Sequence, residues 1–97
     1  MAVSSGTAAL EIGMKSLNLK KGDEVIIPSF TIISTALCVI KLGLKPILVD
    51  SNLETWNMDT DQVIKKISKK TKAIIITHIY GFPVNMKKIL RFAKKKN

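Results

Sequence analysis

Runs of consecutive apolar residues recur along the chain and predict three strands. They lie at 25–27, 47–49 and 73–77, and each is rich in β-branched residues. Apolar residues at every position, rather than at every second one, are typical of strands covered on both faces of a parallel sheet. Pro28 follows the first run and Pro46 opens the second, where a missing N–H need not break a sheet ladder. The runs therefore predict buried strands.

Apolar residues at helical spacing predict a helix before the first strand and another after each strand. The segments are 5–17, 31–42, 59–68 and 85 onward. Ser4 or Ser5 is a suitable N-cap for the first helix, and Asp59 or Asp61 for the third. Gly43 is suited to the left-handed end of the second. Strand and helix thus alternate along the chain.

This alternation predicts an α/β fold with a parallel sheet, because consecutive parallel strands need a long crossover that is usually a helix. Only residues 1–3 precede the first helix, which is too short for a strand to feed it. The lysine-rich residues 94–97 stand where the pattern requires another strand. We therefore expect residues 1–97 to be a fragment of a larger α/β domain, without most of its first strand and without its C-terminal part.

Composition narrows the function classes. The 97 residues are 46% hydrophobic, which is typical of a globular chain. One cysteine, Cys38, excludes an internal disulfide, and with a single histidine the chain cannot form a four-ligand zinc site, so no metal site is expected. No secretory signal and no bilayer-length apolar run are visible, so we expect a cytoplasmic protein without a membrane partner.

The chain carries a net charge of +9, which raises the possibility of a small basic module that binds nucleic acid. Most of the cations fall on the polar faces of the last two predicted helices, where solvated lysines are expected. They are Lys65, Lys66, Lys69, Lys70, Lys72, Lys87, Lys88, Arg91, Lys94, Lys95 and Lys96. Few aromatic residues stand nearby for base stacking, so no nucleic-acid partner is favoured.

Ligands of open α/β sheets collect at the carboxyl ends of the strands, and the first helix begins with small residues. Its opening amides, those of Gly6, Thr7 and Ala8, would point outward at the positive end of the helix dipole, beside the Thr7 hydroxyl. A phosphate would fit there. The alternative is an ordinary serine cap followed by a glycine turn.

Four other residues have both a chemical and a structural interpretation. His78 is compatible with acid/base chemistry or with a hydrogen bond to loop backbone. Tyr80 either caps a pocket or packs under its loop, and Asp50 either binds a cation or caps its own loop. Cys38 is expected to be a buried, inert thiol. These residues form no recognisable nucleophile–base set, so they predict no reaction and no catalytic residue.

Taken together, the segments resemble the DegT/StrS sugar aminotransferases, including perosamine-synthase-like members. These are pyridoxal-phosphate enzymes of fold type I, the aspartate-aminotransferase architecture. The resemblance covers essentially the whole chain and is carried, in order, by VSSGTAAL at 3–10, KKGDEVIIPSFTIISTA at 20–36, KPILVDSNLETWNMD at 45–59, ISKKTKAIIITHIYGFPVNM at 67–86 and ILRFAKKKN at 89–97.

The resemblance implies a partial three-layer large domain that binds pyridoxal 5'-phosphate. Gly6, Thr7 and Ala8 would hold the cofactor phosphate. Ile32 stands where the family usually has an aromatic residue stacked on the pyridine ring, so stacking worth about 0.5–1.5 kcal/mol would be lost. Phe30 is a candidate to substitute for that aromatic residue, although its place in the motif is more typical of core. The family's cofactor-binding lysine and its aspartate partner for the pyridine nitrogen would lie beyond residue 97.

The activity implied by the resemblance is amino transfer from an amino acid such as glutamate to a nucleotide-linked keto sugar, for surface polysaccharides or related sugars. A homodimer is implied for the intact protein. Three alternatives remain: a sugar dehydratase of the same superfamily, the basic nucleic-acid-binding module, and a truncated product without function.

Overall fold

The computed structural model describes residues 2–96 and contains a three-stranded parallel sheet. Strand β1 (Glu24–Pro28) lies between β2 (Lys45–Val49) and β3 (Thr71–Ile74). In register, Ile26 of β1 is opposite Ile47 of β2 and Ile74 of β3. The predicted α/β class and parallel sheet are confirmed.

Within residues 2–96, four helices cover the sheet, as the sequence predicted. They are α1 (Gly6–Ser16), α2 (Ser34–Lys41), α3 (Thr60–Lys66) and α4 (Met86–Lys96), and a short 3₁₀ turn spans Ile79–Gly81. Two residues lie outside the described part of the chain. They are Met1, which belongs to the short segment before the first helix, and Asn97, which ends the lysine-rich segment 94–97.

The third strand differs from its prediction of 73–77, because β3 begins at Thr71 and ends at Ile74. Its last bond to β1 runs from the N–H of Ile75 to the carbonyl of Ile26 (2.9 Å). The next bond of a parallel ladder would need a donor at residue 28, and Pro28 has no N–H. Residues 76 and 77 therefore leave the ladder.

The second helix begins at Ser34, three residues later than predicted. The Thr31 hydroxyl lies 3.2 Å from that of Thr77 after β3 and 3.3 Å from that of Thr35. These contacts hold Thr31 beside the end of the sheet, in the loop that follows β1. Helix α2 begins only after these contacts of Thr31.

Alternate residues of β1 face two separate apolar cores. Val25 and Ile27 pack with residues of α1 and α2 on one face, whereas Ile26 packs with residues of α3 and α4 on the other. The domain thus has three layers, helix–sheet–helix. After each strand, a helix runs back toward the amino ends of the strands. The loops after all three strands therefore lie at the carboxyl edge of the sheet.

The two basic helices lie together in the layer formed by α3 and α4. Their lysines are mostly exposed, as predicted for solvated faces. Lys88 is an exception because its ammonium pairs with Asp61 of α3. Lys66 donates to the carbonyl of Leu48 on β2 (2.6 Å). The cations of this layer thus also serve the packing between elements.

Candidate cofactor-binding site

The first turn of α1 is fixed by a serine cap. Ser5 has extended backbone, and its Oγ accepts a hydrogen bond from the N–H of Ala8 (3.2 Å). The N-cap is therefore Ser5, not Ser4. The cap also engages the amide of Ala8, one of those expected to face an anion. Within residues 2–96, the amides of Gly6 and Thr7 have no acceptor and remain available.

The space in front of this turn is open. A Cβ placed on Gly6 would meet no atom within 4 Å, and its φ is not in the left-handed region, so the packing of the described residues does not require glycine there. Thr7 is exposed, and the first turn contains no acidic residue. An exposed turn with two available amides and a hydroxyl fits a phosphate-sized anion.

Topology brings this turn to the same edge of the sheet as the loop after β1. Helix α1 leads into the first residue of β1, and α2 follows its last residue, so both helices begin at the carboxyl edge. The two helices pack together, and Lys41 of α2 bonds to Glu11 of α1 (2.6 Å). This contact lowers the pKa of the Glu11 carboxyl, chiefly through the hydrogen bond from Lys41.

Ile32 lies in this loop and is 70% exposed, so its side chain is free to contact a ligand. Phe30 was expected to be core, and that expectation is wrong. Its ring is 45% exposed and lies against Trp56, with centroids 5.6 Å apart and planes tilted by 54°. Phe30 lies outside the core because β1 ends at Pro28 and Phe30 belongs to the loop that follows.

Phe30 is part of a cleft that the sequence pattern did not reveal. Four aromatic side chains line it together with Glu54, Thr55 and Ile79, and its volume is about 430 Å³. We call it the aromatic cleft; its aromatic members are Phe30, Trp56, Tyr80 and Phe82. They come from the three loops that follow β1, β2 and β3, so the spacing of residues within one segment does not predict them.

A buried asparagine ties two of these loops together. Asn57 is 3% exposed; its Nδ2 donates to the carbonyl of Phe82, and its Oδ1 accepts from the N–H of Ile79, both at 2.9 Å. Because buried amides carry a high cost when unpaired, this arrangement fixes the third loop relative to the second. The sequence reasoning also missed this residue.

His78 has the structural role. Its Nδ1 accepts a hydrogen bond from the N–H of Val84 (3.0 Å), which closes the loop that carries Tyr80 and Phe82. The prediction of a bond to loop backbone is confirmed. Tyr80 does not pack under this loop, because its side chain is fully exposed at the rim of the aromatic cleft.

Asp50 and Cys38 also follow their structural interpretations. Asp50 Oδ1 accepts from the N–H of Ser51 (2.8 Å), so it caps its own loop. Cys38 is 1% exposed and its Sγ donates to the carbonyl of Thr35 (3.1 Å); burial raises the pKa of this thiol. A thiol held in its protonated form is a poor nucleophile.

Residues 2–96 contain neither a metal-binding cluster nor a membrane-spanning helix. No cluster of three or more histidine, cysteine, aspartate or glutamate side chains is arranged to hold a metal ion. None of the described helices combines the length and apolar character that crossing a membrane requires.

Comparison with known proteins gives consistent matches. A sequence model described as the DegT/DnrJ/EryC1/StrS aminotransferase family matches residues 1–97. GDP-perosamine synthase of Escherichia coli O157:H7 is 43% identical over 95 residues, which cover 98% of this chain and 26% of that protein. The chain thus spans about a quarter of the length of this relative.

Solved structures share the fold. The structure of NtdA from Bacillus subtilis with bound cofactor PMP matches with a TM-score of 0.90 and 39% identity, over 96% of this chain and 21% of that one. E. coli GDP-4-keto-6-deoxy-D-mannose-3-dehydratase with bound hydrated PLP matches with a TM-score of 0.87 and 31% identity, over 93% of this chain and 25% of that one.

Proposed function

The chain belongs to the DegT/DnrJ/EryC1/StrS aminotransferase family, and from this premise we propose that it forms part of the cofactor-binding large domain of a pyridoxal-phosphate-dependent sugar aminotransferase. The complete protein transfers an amino group from an amino acid such as glutamate to a nucleotide-linked keto sugar, for surface polysaccharide or related sugar biosynthesis. The similarity to GDP-perosamine synthase supports this reaction class.

The observation that carries the proposal is the open first turn of α1. Ser5 holds the turn in place, and the amides of Gly6 and Thr7, with the Thr7 hydroxyl, donate to the cofactor phosphate. The Ala8 amide supports them through its bond to the cap. Bound there, pyridoxal phosphate supplies an electron sink for the bond changes at the amino-bearing carbon.

Ile32 covers one face of the cofactor ring by dispersion contacts, without the offset stacking that an aromatic side chain would add. Its exposure in the loop after β1 leaves it available for this contact. The Thr31 hydroxyl contacts with Thr35 and Thr77 fix the loop that carries Ile32.

The residues of this chain bind and orient the cofactor but do not include the lysine that attaches it covalently. Neither the first turn of α1 nor the loop that carries Ile32 contains a lysine. The chain by itself is then inactive. The complete protein is a cytoplasmic homodimer.

The complete protein with Thr7→Val tests this role. Loss of one hydrogen bond to a charged phosphate weakens pyridoxal phosphate binding by about 1.5–3 kcal/mol, which is at least tenfold in Kd. Equilibrium dialysis measures the Kd, and cofactor absorbance follows the bound form. Thr60→Val, at the first position of α3, is the matched control and leaves the Kd unchanged. An unchanged Kd in Thr7→Val would contradict the assignment.

A second candidate reaction is dehydration of the nucleotide-linked keto sugar. It is supported by the match to the E. coli 3-dehydratase structure. Product analysis of the complete protein separates the two: an aminotransferase incorporates nitrogen from labelled glutamate into the sugar, whereas a dehydratase yields a sugar that has lost water and gained no nitrogen.

A further inference from the structure

Strand β2 is an outermost strand of the sheet, so one side of its backbone faces away from β1. The N–H of Lys45 donates to the carbonyl of Asp23 (2.8 Å). The carbonyl of Val49 accepts from the N–H of Ser29 (2.9 Å). Because the direction alternates along a parallel strand, the residues between and after these two point their backbone groups outward. We call the outward groups the β2 edge; they belong to Pro46, Leu48 and Asp50.

The three positions of the β2 edge are closed in different ways. Pro46 has no N–H to donate. The carbonyl of Leu48 accepts a hydrogen bond from Nζ of Lys66 on α3 (2.6 Å). The carbonyl of Asp50 accepts from the N–H of Asp59, in the chain that returns after the second loop (2.9 Å). Groups that another strand would need are thus already occupied or absent.

Helix α3 provides much of this closure. Gln62 and Lys66 are four residues apart and therefore lie on the same face of the helix. Gln62 Oε1 accepts from the N–H of Asp50 (3.4 Å), while Lys66 reaches Leu48. One helical turn advances about 5.4 Å and two strand residues about 6.6 Å, so two side chains one turn apart are spaced to meet alternate residues of a strand.

The opposite side of the sheet, along β3, has no such closure. The N–H of Ile75 donates to Ile26 on β1, so Ile74 and Ile76 direct their backbone groups away from the sheet. Among the described residues, neither has a side-chain cap like that of Lys66 on Leu48. The sheet thus has one closed side and one open side.

Strand β2 has the composition of a strand that pairs readily. Its sequence, KPILV, is mostly apolar and includes two β-branched residues, and the side chain of Leu48 is 54% exposed. Exposed apolar strands at the side of a sheet are templates for pairing with another chain, and lysine and proline are residues that prevent it. A second copy of the chain presents the same strand, so the pairing would be self-complementary about a two-fold axis.

We propose that Lys66 holds the β2 edge closed, and that its removal exposes a surface that pairs with β2 of a second copy of this chain. The ammonium occupies the carbonyl of Leu48 that an added strand would use, and Pro46 withholds a donor beside it. The inference goes beyond the proposed function and does not depend on cofactor binding. With only the β3 side open, association stops at a pair, whereas two open sides allow open-ended growth.

The 97-residue chain with Lys66→Ala tests this role by sedimentation velocity over a range of concentrations. Salt at 0.15 M screens the repulsion between chains of net charge +9. The unaltered chain forms at most a dimer, whereas Lys66→Ala continues to larger species as its concentration rises. Lys65→Ala removes the neighbouring exposed cation of α3 and is the matched control, with the same mass distribution as the unaltered chain.

Hydrogen exchange identifies which side of the sheet pairs. In the Lys66→Ala assemblies, the amide of Leu48 exchanges about tenfold more slowly than in the unaltered chain, because it is then bonded to a second copy. Slower exchange at Ile74 in place of Leu48 would overturn the inference, and so would equal mass distributions for Lys66→Ala and Lys65→Ala. Circular dichroism follows the fold, and loss of the helices in Lys66→Ala would also overturn it, because Lys66 would then be required for folding.

Discussion

Gly6 and Gly43 differ at the residue scale in what the fold requires of them. The described residues leave open space where its Cβ would be, and its φ suits any residue. Gly43 is the opposite case, because its φ is +70° and a Cβ there would lie 3.1 Å from Cγ of Lys21. The fold of the described residues therefore requires glycine at Gly43 but not at Gly6, to which we assign a role in phosphate binding.

We predict that Gly6→Ala raises the free energy of unfolding of the chain by about 0.5 kcal/mol, because alanine restricts the unfolded chain at a compatible helical position. Urea denaturation followed by circular dichroism measures this. Gly43→Ala is the control and loses about 1 kcal/mol or more through left-handed strain. A loss of stability in Gly6→Ala would show that the first turn is packed rather than open.

Single residues were predictable where the signal was local. Asp59 caps α3 through bonds from the amides of Asp61 and Gln62, as one of two candidate caps. Phe30 was placed wrongly because its exposure depends on where β1 ends, and Asn57 gave no signal because its partners lie more than twenty residues away. Contacts between distant loops follow from the fold, not from spacing.

At the scale of elements, the loops after β2 and β3 act as one unit through Asn57. We predict that Asn57→Ala lowers the free energy of unfolding by about 2–3 kcal/mol, since it leaves two part-buried groups, the amide of Ile79 and the carbonyl of Phe82, without their partner. Urea denaturation measures the loss, and faster hydrogen exchange at Ile79 localises it. Asn85→Ala, at an exposed bond of 3.4 Å, is the control and costs less.

Helices α3 and α4 are linked by the ion pair between Asp61 and Lys88. The hydrogen bond and charge of Lys88 lower the pKa of the Asp61 carboxyl. Because the folded pKa is the lower one, the contribution to stability is present above the unfolded pKa and is lost as the pH falls through the folded value.

Lys88→Met is therefore expected to raise the pKa of Asp61 and to flatten the loss of stability on acidification. An NMR titration of the Asp61 carboxyl follows the first effect, and urea denaturation across acidic pH follows the second. Lys87→Met removes a neighbouring exposed cation and leaves the pKa of Asp61 nearly unchanged. Equal titration curves for Lys88→Met and the unaltered chain would contradict the pairing.

Element type was readable from the sequence because periodicity reflects burial, and the three strands and four α-helices of the described part of the chain were all identified. The residues at which the elements begin and end were harder to predict from the sequence. The end of β3 is set by the missing N–H of Pro28 on the neighbouring strand, and the start of α2 by the contact of Thr31 with Thr77. Both depend on register, which no single segment contains.

At the scale of the whole molecule, the alternation of strands and helices was sufficient for the α/β class, whereas the three layers were expected only from the family resemblance. It was not sufficient for the order β2-β1-β3, because the sequence leaves open on which side of the first strand each later one pairs. The aromatic cleft depends on that order, since it gathers loops from all three strands. The proposed phosphate site was easier to predict, because a single helix start contains it.

The central claim is that the first turn of α1 binds the phosphate of the cofactor. Isotope-labelled chain titrated with pyridoxamine phosphate, which forms no Schiff base with lysines, tests it by amide NMR, with pyridoxamine as the phosphate-free control. The account predicts that the amide signals of Gly6 and Thr7 shift most with the phosphate compound and barely with the control. Shifts centred on other residues, or equal shifts with both compounds, would contradict it.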